Sequence, residues 1–129
     1  MRDPISNFII QLKNGSRANK DSVVMAHSNF TASVAAALAR KGYVKPGVMK
    51  GKTVEKFLEV GLIYSGGKAR ITDVKRVSKP SKRLYKGYTE IHQVKQGYGT
   101  TFISTPKGIL SDDEARKEKV GGEVLFQIW

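Results

Sequence analysis

The chain has 129 residues, 40% of them hydrophobic, and no cysteine, so it can fill one compact domain or two small lobes but cannot form disulfides or thiolate metal sites. Its 23 lysine and arginine residues outnumber 11 acids, for a formal net charge of +12. The first residues lack a signal-peptide pattern and no run approaches the roughly 20 apolar residues of a membrane span, so we expect a cytoplasmic protein without a membrane partner.

Two helices are predicted in the first third of the chain. The first begins at Pro4, with Asp3 as its N-cap and Gly15 just past its end. Ser28 is the predicted N-cap of the second, which we expect Gly42 to end. Apolar residues at helical spacing support both, namely Ile5, Phe8, Ile9 and Leu12 in the first, and Phe30, Val34, Ala37 and Leu38 in the second.

Strands are predicted around and after the second helix. A short one lies at 23–25, another begins at 43–44 before Pro46-Gly47 interrupts it, and a third alternates over 55–64. The run Ser65-Gly66-Gly67-Lys68 predicts a hairpin turn into a further strand from Ala69, with a bulge or bend around Asp73. Residues 1–77 are therefore expected to form an α+β lobe of two helices on a three-stranded sheet.

The last third has shorter, turn-rich segments after a polar and basic junction at 78–85. A strand is expected at 100–104, a turn at 106–108, and a short helix whose capping box is Ser111 with Glu114. A closing strand follows at 123–129, with Val124, Phe126 and Ile128 facing inward. Residues 78–129 are thus predicted to be a mostly-β C-terminal lobe with one short helix, which makes the whole chain α+β.

The positive charge is concentrated in one part of the chain. Residues 40–86 contain 14 lysine and arginine residues and three acids. A segment this basic on a folded scaffold is typical of a phosphate-binding face, because neutralised phosphates release counterions. General solubility is the alternative interpretation, but solvated surfaces usually mix both signs.

Enzymatic groupings are scarce, and we expect no catalytic residue, metal, cofactor or small-molecule substrate. The two histidines, His27 and His92, have no partner at metal-ligand spacing. Asp112, Asp113 and Glu114 lie where the first turn of a helix is predicted, and acids there offset the helix dipole. A phosphoryl-transfer enzyme using Asp112 and Asp113 remains the weakest alternative.

One turn near the C-terminus suits a polyanion. It contains Ser104, Thr105, Lys107 and Gly108. Short hydroxyl side chains and bare amides can approach phosphates and the shallow minor groove of A-form RNA. The alternative is that both hydroxyls merely end a strand and stabilise the turn.

Aromatic and basic residues precede that turn. Tyr85 can stack on an unpaired base, although a core position is the competing interpretation, and Arg83 can reach the same surface from two positions earlier. No arginine-rich recognition helix of the kind used by DNA readers is evident, so RNA is the better partner. An architectural DNA protein remains a rival.

Short motifs along the whole chain share one family pattern, namely Asp3-Pro4-Ile5, Asn14-Gly15, Asn19-Lys20, Lys41-Gly42-Tyr43, Val77-Ser78-Lys79-Pro80, Arg83-Leu84-Tyr85, the run from Ser104 to Arg116, and Gly121-Gly122-Glu123-Val124-Leu125. In these motifs the chain resembles the bacterial family of small-subunit ribosomal protein eight. Two departures stand out. Pro106 replaces a third hydroxyl residue, and Ser81-Lys82 replaces glycine and a small or apolar residue.

The resemblance implies a structural constituent of the small ribosomal subunit that binds the central domain of its RNA, supports assembly and contacts neighbouring ribosomal proteins. It implies a main RNA contact at Ser104, Thr105, Lys107 and Gly108, with Gly121, Gly122 and Glu123 close by and Tyr85 assisting. It implies a secondary contact at Asp3, Pro4, Lys13 and Asn14. A general RNA- or DNA-binding protein, or a messenger-binding translational regulator, is the alternative function.

Overall fold

The computed structural model describes residues 4–51, 56–78, 82–91 and 99–129. These divide into two compact units, 4–72 and 73–129. The described elements are, in chain order, α1 (Pro4–Arg17), β1 (Ser22–Ala26), α2 (Asn29–Arg40), β2 (Val48–Gly51), β3 (Lys56–Gly61), β4 (Tyr64–Ser65), β5 (Lys68–Ala69), β6 (Val74–Arg76), β7 (Tyr85–Lys86), a 3₁₀ turn (Tyr88–Glu90), β8 (Thr100–Thr105), β9 (Gly108–Ser111), α3 (Asp112–Glu118) and β10 (Gly122–Ile128).

The first unit confirms the predicted lobe of two helices and a three-stranded sheet. The sheet is antiparallel, with the strand order β1-β3-β2. Its core consists mainly of apolar side chains from α1, α2 and one face of the sheet, among them Phe8, Leu12, Val34, Leu38, Leu58 and Val60. The α+β class predicted from the sequence is therefore correct.

Helix α1 continues beyond the predicted end at Gly15. It runs to Arg17, and the chain leaves it through Asn19, whose φ is +56°. Gly15 serves packing instead, since a Cβ there would lie 2.7 Å from Val23 Cγ1. The predicted N-cap, Asp3, lies outside the described residues.

Helix α2 begins and ends as predicted. The Ser28 hydroxyl accepts a hydrogen bond from the Thr31 amide, and the Thr31 hydroxyl accepts one from the Ser28 amide. At the other end Gly42 has φ +79°, and the Tyr43 amide donates to the Leu38 carbonyl at 3.0 Å. These are the polar N-cap and glycine C-cap that the sequence indicated.

The strands of the first unit differ in detail from the prediction. The third strand of the sheet is β2, after Pro46-Gly47, while the predicted strand at 43–44 is reduced to a single bridge between Val44 and Leu62. The predicted strand 55–64 is divided between β3 and β4, and Glu55 lies outside the described residues. The hairpin of β4 and β5 is confirmed, with φ of +59° at Gly66 and +80° at Gly67, as a two-residue hairpin turn requires.

The second unit has a five-stranded sheet. Its order is β6-β10-β8-β9, and β7 also pairs with β10. The single strand predicted from Ala69 is wrong, because β5 pairs within its hairpin whereas β6 pairs with β10. The break falls at Asp73, where a bend was expected, and there the backbone exchanges two hydrogen bonds with Trp129 at 3.1 Å.

The C-terminal helix and strand follow the prediction closely. The capping box of Ser111 and Glu114 is formed, and Ala115 of α3 packs against Ile91 and Ile103. Strand β10 buries the predicted Val124, Phe126 and Ile128, but it also buries Leu125, because a register irregularity separates Val124 from Phe126 opposite β8. Strand β9 was not predicted, since only two apolar residues separate the turn from the helix.

Candidate nucleic-acid interface

Three predicted site residues form a row across the C-terminal sheet. Tyr85 of β7 lies opposite Glu123 of β10, and Glu123 lies opposite Ser104 of β8. Directly opposed residues of antiparallel strands project from the same face. With strands about 4.8 Å apart, the row spans roughly 10 Å. We call this row, together with Arg83 and the β8–β9 turn at 105–108, the C-terminal surface.

Two glycines allow the strands of this surface to approach each other. A Cβ at Gly121 would lie 2.2 Å from the Lys86 carbonyl oxygen, and one at Gly122 would lie 1.9 Å from the Ser104 carbonyl oxygen. Neither distance is possible for real atoms, and neither glycine has a positive φ. Both positions therefore require glycine because a side chain would not fit. Gly122 allows close approach to Ser104, and Gly121 allows close approach to Lys86, the neighbour of Tyr85.

The β8–β9 turn uses one of the two predicted hydroxyls internally. Thr105 Oγ1 donates to the Gly108 carbonyl at 2.8 Å and accepts from the Lys107 amide at 3.1 Å. A hydroxyl has one donor and two acceptor lone pairs, so Thr105 retains one acceptor site. The predicted alternative, that this hydroxyl stabilises the turn, is correct for Thr105.

The hydroxyl of Ser104 differs from that of Thr105 in its hydrogen bonding. The Ser104 side chain is half-buried, and it makes no side-chain hydrogen bond to any of the residues that the structure describes. No residue in the described parts of the chain therefore competes with a ligand for its donor and its two lone pairs. Pro106 follows at the first corner of the turn, where the fixed φ of proline is favourable and its missing amide costs no ladder hydrogen bond.

Both cations of this surface, Lys107 and Arg83, form an ion pair with a carboxylate. Lys107 Nζ lies 3.0 Å from Glu118 Oε2, with about half of both side chains exposed, and Arg83 NH1 lies 3.5 Å from Glu123 Oε1. Exposed ion pairs contribute little to stability, so a phosphate can replace the carboxylate at Lys107. Glu123 is the more buried partner and orients Arg83 beside the row.

The Tyr85 ring is available for stacking. It is 63% exposed, which rules out the core position considered as an alternative. Leu84 and Tyr88 are also exposed, and Lys82, Arg83 and Lys86 lie within three residues of Tyr85 in the sequence. Aromatic surface among cations is the combination that single-stranded bases bind.

Ser78 fixes the segment that presents Arg83 and Tyr85, a role that sequence reasoning missed. Its side chain is fully buried. Its Oγ accepts from the Leu84 amide at 2.8 Å and donates to the Leu84 carbonyl at 3.3 Å. In addition, the Ser78 amide donates to the Val124 carbonyl, and the Val124 amide donates to the Leu84 carbonyl. The signal available in the sequence was a small polar residue at the start of the basic junction, whose residues 79–81 lie outside the described parts.

The acidic residues of α3 are engaged in structure. Arg116 bonds to Asp112 at 3.3 Å, to Asp113 at 2.9 Å and to the Ile91 carbonyl at 3.2 Å. Asp112 is buried, and its pKa is raised by that burial and by the neighbouring charge of Asp113. Among the described residues, no group of three histidine, cysteine or acidic side chains could hold a metal ion. A phosphoryl-transfer site, the alternative considered from the sequence, would therefore have to use carboxylates that Arg116 already binds.

The predicted secondary site lies on α1, in the first unit. Pro4 is the first residue of the helix, Lys13 is half-buried and Asn14 is exposed. Asn14 lines an open cleft of about 520 Å³ with Gln11 and Lys20 among its walls. Asp3 lies outside the described residues, and the other three predicted positions are spread along one helix, with Pro4 at its start and Lys13 and Asn14 near its end.

Comparison with known proteins covers almost the whole chain. The family described as "Ribosomal protein S8" matches residues 3–129. A protein named "Small ribosomal subunit protein uS8" from Mycoplasmopsis agalactiae is 43% identical over 127 residues, which are 98% of this chain and 97% of that protein. Proteins of the same name from Erythrobacter litoralis and Zymomonas mobilis are each 41% identical, over all of this chain and 98% of their own length. Separately, no described helix is long and apolar enough to cross a membrane.

Proposed function

The chain belongs to the ribosomal protein S8 family, and on that basis we propose that it binds the central domain of small-subunit ribosomal RNA through its C-terminal surface. Membership makes it a structural protein of the small ribosomal subunit and not an enzyme.

The observation that supports it most strongly is the row of Ser104, Glu123 and the exposed Tyr85, in which the Ser104 hydroxyl has no side-chain partner among the described residues. A serine hydroxyl can donate to and accept from ribose 2′-hydroxyls and base edges in a shallow minor groove. Tyr85 can stack on a base that an internal loop leaves unpaired. Lys107 and Arg83 can bind phosphates, which fix the register of the protein on the RNA. One surface then recognises the shape of the minor groove, unpaired bases and the phosphate charge together.

Glu123 also takes part in the proposed RNA contact. Its carboxylate is mostly buried, with 17% of the side chain exposed, and it holds Arg83 by an ion pair. A carboxylate near phosphates is unfavourable unless a cation screens it or a donor binds it. We therefore assign Glu123 to orienting Arg83 and to accepting a hydrogen bond from an RNA donor, as the row geometry favours.

The test uses two hairpins of the same chain as treatment and control. Replacing Ser104→Ala and Lys107→Met together removes one hydroxyl and one ammonium from the C-terminal turn. The matched control is Ser65→Ala with Lys68→Met in the β4–β5 hairpin, where both side chains are exposed. Each is titrated with a central-domain RNA fragment that contains a stem and an internal loop, by filter binding or calorimetry.

We expect the first double variant to lose about 2–3 kcal/mol of binding free energy, which is roughly 30- to 150-fold in Kd. The control should stay within about twofold, and both should melt near the wild-type temperature. Equal Kd values for the two double variants would reject the C-terminal turn as the site. Equal affinity for duplex DNA at the same salt concentration would favour the general nucleic-acid binder instead.

A further inference from the structure

The last residue of α3 carries a charge that the helix disfavours. Glu118 ends the helix, where the carbonyl oxygens of the final turn form the negative end of the helix dipole. Cations are favourable there, and Arg116 and Lys117 in the same turn follow this rule, whereas Glu118 breaks it. A residue that breaks a local rule of this kind is expected to have a compensating role at a functional site.

The compensating contact joins Glu118 to the β8–β9 turn. Its Oε2 lies 3.0 Å from Lys107 Nζ, and Lys107 is its one ion-pair partner among the residues that the structure describes. The Lys107 amide donates to the Thr105 hydroxyl at 3.1 Å, so the turn itself fixes the backbone that carries this lysine. An ammonium and a carboxylate are therefore neighbours at the C-terminal surface.

Neither group of this pair is shielded from a ligand. The Lys107 and Glu118 side chains are 54% and 52% exposed, and an exposed ion pair contributes little to stability. Glu123, the other carboxylate that holds a cation of this surface, is only 17% exposed. An incoming RNA backbone can thus separate Lys107 from Glu118 and contact both groups.

A phosphate bound to Lys107 changes the surroundings of Glu118. The carboxylate loses its ammonium partner and lies near a second anion, which is unfavourable. A donor that arrives with the phosphate removes this penalty, because a hydroxyl that donates to a carboxylate forms a short, charge-assisted hydrogen bond. Each ribonucleotide carries such a donor, the 2′-hydroxyl, next to its 3′-phosphate, and a deoxyribonucleotide does not.

We propose that Glu118 selects ribose, by accepting a hydrogen bond from a 2′-hydroxyl while Lys107 binds the neighbouring phosphate. This assignment rests on the RNA-binding role proposed above for the C-terminal surface and adds a residue that makes the contact selective for RNA over DNA. The uncharged Ser104 hydroxyl can bind a 2′-hydroxyl but does not repel a backbone that lacks one. Glu118 does both, so selectivity arises from attraction of RNA together with repulsion of DNA.

The experiment separates the 2′-hydroxyl from the shape of the RNA. The central-domain RNA fragment is prepared with ribose throughout and with 2′-fluoro nucleotides in its stem and internal loop, since fluorine keeps the A-form sugar pucker but cannot donate a hydrogen bond. Kd values of both fragments are measured by filter binding for wild type, Glu118→Gln and Glu59→Gln. The last variant is the matched control, because it removes the same charge from another surface ion pair, in which Lys50 Nζ lies 2.8 Å from Glu59 Oε1 in the first unit.

We expect wild type to bind the 2′-fluoro fragment about tenfold or more weakly than the ribose fragment. In Glu118→Gln this ratio of Kd values should fall about fivefold, mainly because the 2′-fluoro fragment binds better once the repulsion is removed. Glu59→Gln should keep the wild-type ratio. Glu118→Gln should also melt at or slightly above the wild-type temperature, since it removes the unfavourable charge from the end of α3.

Three results would overturn the proposal. Equal binding of both fragments to wild type would show that no 2′-hydroxyl is recognised. An unchanged ratio in Glu118→Gln would show that the carboxylate does not distinguish the two sugars; if its affinity for both fragments rose equally, Glu118 would instead be a general electrostatic shield of Lys107. An equal fall of the ratio in Glu59→Gln would make the effect one of net charge. Each would leave intact the loss of affinity expected for Ser104→Ala with Lys107→Met, so failure of the ribose selection is distinguishable from failure of the proposed function.

Discussion

Gly122→Ala is the substitution that examines most closely how the C-terminal surface is built. The new Cβ would lie 1.9 Å from the Ser104 carbonyl oxygen, 2.9 Å from its carbonyl carbon and 3.2 Å from Thr105 Cα. A normal carbon–oxygen contact is above 3 Å, so β10 and β8 must separate by more than about 1 Å at this point. All three contacted atoms belong to backbone, which cannot rotate away as a side chain can.

Two costs follow for the fold. Overpacking of this kind costs about 1–3 kcal/mol, and a stretched ladder hydrogen bond adds about 1 kcal/mol. Taken together they predict a free energy of unfolding lower by about 2–4 kcal/mol, or a Tm lower by roughly 7–15 °C for a chain of this size. Because Ser104 moves with its carbonyl, we also expect binding to the central-domain RNA fragment to weaken at least tenfold at a temperature where the variant is folded.

Gly66→Ala is the matched control. Gly66 has φ +59°, but a Cβ there would meet nothing within 4 Å. Its substitution should cost about 1 kcal/mol of backbone strain and leave RNA affinity unchanged. Thermal melts and RNA titrations of both variants provide the comparison. Wild-type stability and affinity in Gly122→Ala would refute the argument that close approach of the strands requires this glycine.

Three further predictions concern other parts of the second unit. Ser78→Ala leaves the Leu84 amide without its acceptor, so we expect a loss of about 1–3 kcal/mol in the free energy of unfolding and weaker RNA binding as Arg83 and Tyr85 lose their support; denaturant titration would show no change if the Ser78 contacts were incidental. RNA binding should weaken with salt at a slope of about −0.8 per neutralised phosphate, or roughly −4 to −5 for five or six phosphates; a flat response over 50–300 mM salt, about a sixfold range, would contradict a phosphate-binding surface. The raised pKa of Asp112 means that its carboxyl binds a proton more tightly in the folded chain than in the unfolded one, so its contribution to stability is full below its unfolded pKa and falls as the pH rises through the folded pKa. Thermal melts of wild type and Asp112→Asn between weakly acidic and neutral pH should therefore show that the Tm of the wild type falls more steeply as the pH rises. The same pH dependence of Tm in both proteins would contradict a raised pKa of Asp112.

Features encoded by neighbouring residues were predictable from the sequence. The caps of α2 and α3 depend on a hydroxyl and a partner three residues later, and both formed. The hairpin turn at Gly66-Gly67 depends on two residues that accept positive φ, and it too formed. In each case the stabilising contact lies within one turn of chain, where sequence spacing is equivalent to distance.

Features that depend on distant partners were not predictable. The pairing of β6 with β10 joins residues some 50 positions apart, and nothing in the run from Ala69 indicates it. The end of α1 was placed too early because Gly15 resembles a helix stop, whereas it is required by contact with Val23. The Ser78 contacts with Leu84 likewise depend on a distant residue, since Val124 of β10 bonds to both.

The candidate site shows the same division. Ser104, Lys107 and Tyr85 could be singled out by residue type and by family resemblance. The row that joins Tyr85 to Ser104 through Glu123 requires the strand register. The role of Gly122 as a spacer appears only when the neighbouring backbone is known.

The most direct test of the central claim is an NMR titration of the ¹⁵N-labelled full chain with the central-domain RNA fragment. We predict that the largest shifts or line broadening occur at the amides of Ser104, Lys107, Gly108 and Glu123, with those of the control hairpin at 65–68 unchanged. Saturated RNA binding that leaves these four amides unperturbed would contradict the assignment of the C-terminal surface.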